Sequence, residues 1–538
     1  MGELALQGVG AAPGITVGRA MVLDGPGVIS STLVPPPERH DEARRAIQAL
    51  AMAASELEKI SAELRRGGRG DEADIVETGV LMAVDPELIS RVETLAIELG
   101  LQAGEALREA TDQIALEISQ LADPTLALRA DDVRSLGRRA AARAEGAYEH
   151  PTGGVLIAAT LGPADVAELA PTAKAIALSG GGVTAHAAIV ARSLGLPMVV
   201  GLGNELLQIE DGEEVVVDGD AGVVVRRPSA GLVSSARGAT ERRRLERETA
   251  VARRLEPAQT LDGRRIRVLA NASTVAELEE ATRQGAEGGG LMRTELLFLE
   301  ATSWPSLQEQ VNVFRPVLAQ LAGQTATVRL FDFGGDKTPP FLRGIRTRGV
   351  EVLLDAPEAM RTHLLAVVEA GRGCDLRILV PMVTSAAQLR AVRHALDADA
   401  QQVGPMIETP EAAASADEIA RESDFVSIGT NDLTQLVLGL DREQSRRAPV
   451  LDVRVLSLIA HTMRAAHKAR IPVDVCGEAA SDAKALPIMV GFGVDEVSVA
   501  AARVGQVRQW IRGFDFAECQ VESEKLLREP GHASRERV

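Results

Sequence analysis

The chain is poor in aromatic and sulfur-bearing side chains: its 538 residues include one Tyr, two Trp and three Cys. So few aromatic rings exclude a surface built to stack on nucleobases. Cys374, Cys476 and Cys519 are too few and too scattered for a disulfide framework or a thiolate zinc site. Positive charge is also in deficit. The net charge of −18 argues against a nucleic-acid partner, while local arginines remain free to receive an anionic ligand. No run reaches the roughly 18 uncharged apolar residues of a membrane span. The start, MGELALQGVGAAPG, has no basic segment leading into a long apolar one. The expectation is a cytoplasmic protein with neither membrane nor nucleic-acid partners. Its length predicts two to four domains.

What is present changes period along the chain. Residues 1–21, with GVGAAPGITVGRAMVL, read as short strands around a Gly/Pro turn. In 41–64, Ile47, Leu50, Ala54, Leu57, Ile60 and Leu64 recur at three- and four-residue steps, which predicts an amphipathic helix. Further helical segments run to about Ala142, so 22–144 is expected to be an all-helical bundle. Strand patterns resume in GGVLIAAT, AKAIAL, LPMVVGLG and the hairpin EEVVVDGDAGVVVRR. The segments 1–21 and 145–229 are therefore expected to form one β/α domain, split by the helical insertion. Residues 230–255 are charged and read as a linker helix. From 256 to 538, eight apolar strand candidates alternate with helical segments, the pattern of a (β/α)8 barrel.

Two places carry candidate chemistry. In SGGGVTAHAAIVARSLGLP, residues 179–197, three glycines lead into a helix expected to begin near His186 and to be capped by Thr184. An imidazole there sits at the positive end of a helix dipole, where an anion is stabilised. In the barrel, the ends of the strands bring Arg293, Thr294, Glu295, Arg329, Asp332, Lys337, Glu408, Asn431, Asp432, Cys476 and Glu478 to one rim, with Arg442 shortly after strand six. Arginine forks match phosphate and carboxylate oxygens. Glu408 and Asp432 suit Mg²⁺ completed by water and substrate. Cys476, with a thiol pKa near ~8.5 when unperturbed, is a candidate proton donor to a carbon acid.

These motifs, in order, resemble Enzyme I of the bacterial phosphoenolpyruvate-dependent sugar phosphotransferase system. They include GVGAAPGITVG, MAVDPEL, LRADDVRSLGRR, GGGLMRTELLF, RLFDFGGDK, PMIETPEAA, DFVSIGTNDLTQ and VCGEAASD. The resemblance implies a phosphohistidine domain that swivels, a helical insertion that docks the carrier HPr, and a phosphoenolpyruvate-binding barrel forming a homodimer. It implies that His186 is phosphorylated and that Arg293 and Arg329 bind phosphate. Asn431, Asp432 and Arg442 would hold the rest of the substrate, with Arg348 a further substrate-region arginine. Glu408 and Asp432 would ligate Mg²⁺, and Cys476 would protonate the departing enolate. The expected function is transfer of the phosphoryl group to His186 and on to HPr, the first step of sugar uptake by group translocation.

Some positions depart from the family pattern. Ala185 stands where serine is usual, Glu351 where an arginine is common, and AATLGPAD at 158–165 lacks the usual acidic, threonine and serine pattern beside the histidine. The alternatives are the same chemistry serving another carrier (dihydroxyacetone kinase or a nitrogen branch), or a weakly active regulatory paralogue. A metal-dependent lyase using the barrel alone would leave the histidine motif and the helical insertion without a role.

Overall fold

The computed structural model describes residues 3–23, 33–66, 69–120, 129–146, 153–183, 185–335, 337–396, 401–440 and 451–528. Arg442 and Thr184 lie outside these residues. The chain divides into two compact units, Met1–Leu245 and Glu246–Val538.

In the first unit, strands β1 (Leu4–Gln7), β2 (Val9–Ala12) and β3 (Ile15–Val22) join β4 (Val155–Ala158), β5 (Ala175–Leu178), β6 (Met198–Val200), β7 (Glu214–Asp218) and β8 (Val223–Arg226). The eight-stranded sheet has the order β1-β8-β7-β3-β4-β5-β6-β2. Its centre, β3-β4-β5-β6, is parallel, and β4 and β5 are buried along their whole length, as strands covered on both faces must be. Leu156, Ile176 and Met198 pack on one face with Ala187, Val190 and Ala191 of the His186–Leu194 helix. Val155, Ile157, Ala175 and Val199 pack on the other with Val215 and Val217.

Between β3 and β4 lie helices Arg39–Arg66, Gly70–Ala83, Pro86–Ile97, Ala103–Ser119 and Ala130–Glu145. The first buries Ala43, Ala46, Leu50, Ala53, Leu57 and Leu64, one stripe at helical spacing. Small residues let these helices approach closely. A Cβ on Gly137 would fall 1.9 Å from Thr111 Oγ1 of the neighbouring helix. The bundle therefore holds the N-terminal turn of Ala130–Glu145 in a fixed place. A charged helix spans Ala230–Ala252.

The second unit is a closed barrel of β9 (Arg267–Asn271), β10 (Gly288–Arg293), β11 (Thr325–Arg329), β12 (Asp375–Val380), β13 (Gln402–Ile407), β14 (Val426–Gly429), β15 (Val473–Cys476) and β16 (Glu496–Ala500). Neighbouring pairs are parallel, and β16 closes on β9. All eight carboxyl ends therefore open on one rim, where barrel enzymes build their sites. Phe314, Phe331, Phe333 and Phe425 are fully buried. Among the described residues, no helix is long and apolar enough to cross a membrane, and the three cysteines are free.

Candidate functional site

His186 opens the His186–Leu194 helix as expected, but the N-cap residue is Ala185, which contributes no side-chain bond. The histidine is held from the bundle instead. His186 Nδ1 lies 2.8 Å from Asp132 Oδ2, in the first turn of Ala130–Glu145, and Arg129 Nη1 is 3.5 Å from the same oxygen. Both side chains are largely enclosed, at 13% and 9% exposure. In the neutral ring a carboxylate on Nδ1 favours the Nδ1–H tautomer, whose lone pair is on Nε2. No hydrogen bond reaches Nε2 among the described residues.

The segment 158–165 docks the bundle rather than the histidine. Arg138 donates to Thr160 O at 2.9 Å, and buried Arg139 pairs with Asp165 at 3.0 Å and Glu168 at 2.7 Å. Ser135 Oγ donates to Asp165 Oδ2 at 2.5 Å. Burial alone would raise the Asp165 carboxyl, but Arg139 and Arg138 overcome it and hold the group below its ordinary range. Asp132, which no strand or helix pattern singles out, is the residue that reaches the imidazole. The acidic pair in LRADDVRSLGRR was the available signal.

In the barrel unit, Arg293 and Arg329 end adjacent strands and face each other in register. Arg293 is exposed, and its side chain has no partner among the described residues. Arg329 is buried and pairs with Glu295, with Asp332 3.5 Å away. Its Nη1 meets only Met406 Sδ, at 3.7 Å, and its Nε has no partner, so the fork retains donors. Lys337 Nζ stands 3.0 Å from Asp332 and 3.4 Å from Glu295. Arg348 bridges two carboxylates, 3.1 Å from Asp332 and 3.0 Å from Asp432. Burial would raise the Asp332 carboxyl, but Arg329, Lys337 and Arg348 together lower it. Glu295 and Asp332, visible in the sequence only as polar strand ends, are thus the groups that orient the arginines, and Lys337 shares both of them.

Asn431 and Asp432 are not strand residues. Gly429 ends β14, and both occupy the first turn of the Thr430–Leu438 helix. Asn431 Oδ1 accepts the Glu478 N–H at 2.9 Å, and Thr430 Oγ1 donates to Cys476 O at 3.0 Å. The rim residues of β14 and β15 are therefore locked together. Glu408, just beyond β13, is fully buried. Its Oε1 accepts the Met382 N–H at 2.8 Å, and Met382 holds a left-handed φ of 53° to present it, a strained conformation of the kind found at functional sites. Its Oε2 has no partner. Burial, then Asp332 and Asp432, push the Glu408 carboxyl up to about 8 against the pull of Arg329. Cys476 is 1% exposed. Burial first, then Asp474, push its thiol well above the ordinary value assumed from sequence, making it a weaker acid. Glu351 lies exposed on the short Val350–Leu354 helix.

A buried carboxyl oxygen with no donor, raised by the charges of Asp332 and Asp432, favours a positive charge beside it, whether a proton or a cation. Among the described residues there is no group of three or more His, Cys, Asp or Glu placed to hold a metal ion. Two carboxyl groups, Glu408 and Asp432, are a donor set of the kind an oxygen-seeking ion completes with water or substrate.

Three family models match the chain: the N-terminal domain of PEP-utilising enzymes over residues 7–129, their mobile domain over 150–222 and their PEP-binding domain over 247–516. Multiphosphoryl transfer proteins of Xanthomonas campestris pv. campestris and Rhodobacter capsulatus are each 35% identical, over 97% and 87% of this chain. The chain spans 65% and 60% of their lengths. A phosphoenolpyruvate-protein phosphotransferase of Haloferax volcanii is 36% identical over 85% of both chains. With this similarity over the length of the chain, and the histidine motif and barrel rim both in place, the chain belongs to the PEP-utilising enzymes, in the family of the phosphoenolpyruvate-protein phosphotransferases.

Proposed function

We propose that the protein takes the phosphoryl group of phosphoenolpyruvate onto His186 Nε2 and passes it to a histidine of an HPr-like phosphocarrier, feeding sugar uptake. The observation that carries this reading is the Asp132–His186 contact, which commits Nδ1 to a carboxylate and leaves Nε2 as the nucleophile. Nε2 attacks phosphorus, the bond from phosphorus to the bridging oxygen breaks, and the Cys476 S–H gives its proton to the methylene carbon of the enolate. Arg293 and the spare donors of Arg329 suit the phosphoryl oxygens. Arg348, Asn431, Asp432 and Arg442 orient the remainder of the substrate. The reading requires His186 to be delivered to the barrel rim during the donor step.

The rim's paired cations, Arg329, Lys337 and Arg348, stand against the carboxylates of Glu295, Asp332 and Asp432, with Arg293 unpaired among the described residues and Glu408 pushed toward its neutral form. That balance leaves little net positive charge for a substrate carrying both phosphate and carboxylate. Mg²⁺ held by Glu408 and Asp432 would supply it and neutralise charge developing on the bridging oxygen. A cytoplasmic homodimer formed through the barrel completes the proposal.

The test is intact mass after incubation with phosphoenolpyruvate and Mg²⁺, comparing wild type with His186→Ala. An acid-labile gain of one phosphoryl group in wild type alone, reversed by pyruvate, is the expected result. No gain in a folded sample that binds phosphoenolpyruvate would overturn the reading.

A further inference from the structure

Inside the barrel, three neighbouring strands place a short chain of protonatable groups beneath Cys476. On β15, Asp474 and Cys476 are two residues apart and so point to the same face of the strand. Asp474 is paired in register with Ser427 of β14 and Glu496 of β16. Ser427 Oγ lies 2.6 Å from Asp474 Oδ2 and 3.4 Å from Cys476 Sγ. Ser498 Oγ donates to Asp474 Oδ1 at 2.8 Å. Cys476 Sγ is 3.5 Å from Ile428 O. Asp474, Ser427, Ser498 and Cys476 are all buried. The proposed phosphoryl transfer assigns no role to this buried carboxyl beside the proton donor.

We propose that Asp474 and Ser427 form a proton relay that recharges Cys476 after it protonates the enolate. The inference rests on the assignment of Cys476 as that donor. When the S–H bond breaks and the C–H bond of pyruvate forms, a thiolate is left in a closed, dry site. Ser427 then gives its hydroxyl proton to Sγ and takes the carboxyl proton of Asp474 in the same movement. The negative charge ends on Asp474, where the Ser427 and Ser498 hydroxyls solvate it. Once pyruvate has left, a solvent proton returns along the same chain. In the reverse direction the Asp474 carboxylate takes up the thiol proton, so that the thiolate can remove a methyl hydrogen from pyruvate.

A hydroxyl has one proton to give, and both end states fit the positions observed. With Asp474 protonated, it donates to Ser427 Oγ and Ser427 donates to Sγ. With Asp474 ionised, Ser427 turns its proton to Oδ2, and the thiol keeps its own toward Ile428 O. No heavy atom has to move.

The surroundings support the exchange. Burial pushes the Asp474 carboxyl up to about 7, with Glu496 adding to the rise and Ser427, Ser498 and Arg377 opposing it. Glu496 is itself tied to Arg377 at 2.5 Å and to Arg267 at 2.7 Å. On the rim side, Glu408 and Arg329 act on the thiol in opposite senses. The carboxyl is the stronger acid of the pair, so a proton moves downhill from it to the thiolate.

The test follows loss of the pyruvate methyl hydrogens into D2O by proton NMR, with the full chain, pyruvate and Mg²⁺, from pH 6 to 8.5. Wild-type exchange is expected to rise with pH and level off above about pH 7, as Asp474 ionises and can accept the thiol proton. Asp474→Asn and Ser427→Ala should each slow exchange at least about tenfold at the plateau, and Asp474→Asn should lose the rising limb. Infrared spectra of wild type minus Asp474→Asn should show a protonated-carboxyl band that titrates over the same range, a change that a merely structural role would not produce. Should Asp474→Asn fail to fold, Ser427→Ala carries the comparison.

Exchange in both variants within twofold of wild type, with the same pH profile, would overturn the relay, as would a wild type with no exchange. Phosphohistidine formation is scored separately by intact mass. Phosphorylation without Asp474-dependent exchange leaves the phosphotransferase reading standing and removes the relay. Asp474-dependent exchange without phosphorylation does the reverse.

Discussion

His186 and Asp132 are 54 positions apart in sequence and 2.8 Å apart in space, joined through Nδ1 and Oδ2. The carboxylate reaches the imidazole from the inserted bundle, so the bundle sets which ring nitrogen is free. Asp132→Asn keeps the shape but replaces a carboxylate acceptor with an amide that can present either its oxygen or its nitrogen. Phosphorylation of His186 by phosphoenolpyruvate is expected to slow by about tenfold or more, with the thermal transition of the protein little changed. Rapid-quench intact mass would measure this. A rate equal to wild type would make the contact incidental.

The Arg329–Glu295 pair is buried, and Arg329 is also shared with Asp332. Arg329→Met removes the cation and leaves Glu295 with Lys337 alone, while Asp332 keeps Lys337 and Arg348. Breaking such a pair costs about 3–5 kcal/mol. The double variant Arg329→Met with Glu295→Gln should regain part of that loss, since the second change removes the charge left short of a partner. Both tryptophans of the chain, Trp304 and Trp510, lie in the barrel unit, so their fluorescence in urea reports on it selectively. A single variant as stable as wild type would contradict the ledger of charges proposed for the rim.

His363 supports the same strand end from behind. It is fully buried, stacks on Phe331 at 3.7 Å, accepts the Phe331 N–H through Nε2 at 3.2 Å and meets Gln310 Oε1 through Nδ1 at 2.6 Å. Burial lowers its pKa from 6.5 to about 3. Between those values the unfolded chain binds a proton that the native barrel does not, so stability rises with pH and falls on acidification. From pH 7.5 to pH 5 the loss from this one group is about 2 kcal/mol. His363→Phe should be less stable at pH 7.5, because Gln310 and the Phe331 amide lose a partner. It should also lose less further stability on acidification. Urea midpoints by tryptophan fluorescence at the two pH values decide this; an unchanged pH difference would contradict it.

The barrel was legible because each strand is an apolar run, and its rim was legible because polar residues follow those runs at once. Glu408 and Cys476 needed no more than that. The environment of each was not legible. VDVC reads as a strand with one polar interruption, and nothing local says that Ser427 and Ser498 enclose Asp474 from the flanking strands. Arg348 lies 16 positions from Asp332 and 84 from Asp432, and only barrel closure brings the three together. The perturbation of the Cys476 thiol was not legible for the same reason. Acidity depends on burial and on neighbours contributed by other strands, which the spacing of one segment does not contain.

Gly477 offers a test of how tightly the rim is set. Its φ is +95°, and a Cβ there would lie 2.5 Å from Thr430 Oγ1 and 2.8 Å from Asn431 Oδ1. Those two atoms carry the bonds that join the β14 rim to the β15 rim, to Cys476 O and to the Glu478 N–H. Gly477→Ala must therefore either move Asn431 or twist the backbone beside Cys476. Backbone strain of this kind costs about 1–3 kcal/mol, and a displacement near 1 Å at a reacting centre costs roughly 100-fold in rate. The expected outcome is a stable barrel with kcat/KM for phosphoenolpyruvate reduced by roughly that factor. Asn431→Ala, which removes the displaced group without adding a Cβ, should lose activity with a smaller cost in stability. If Gly477→Ala retains wild-type kcat/KM, Asn431 and Cys476 tolerate displacement, and the tightly set rim on which the proposed chemistry depends is wrong.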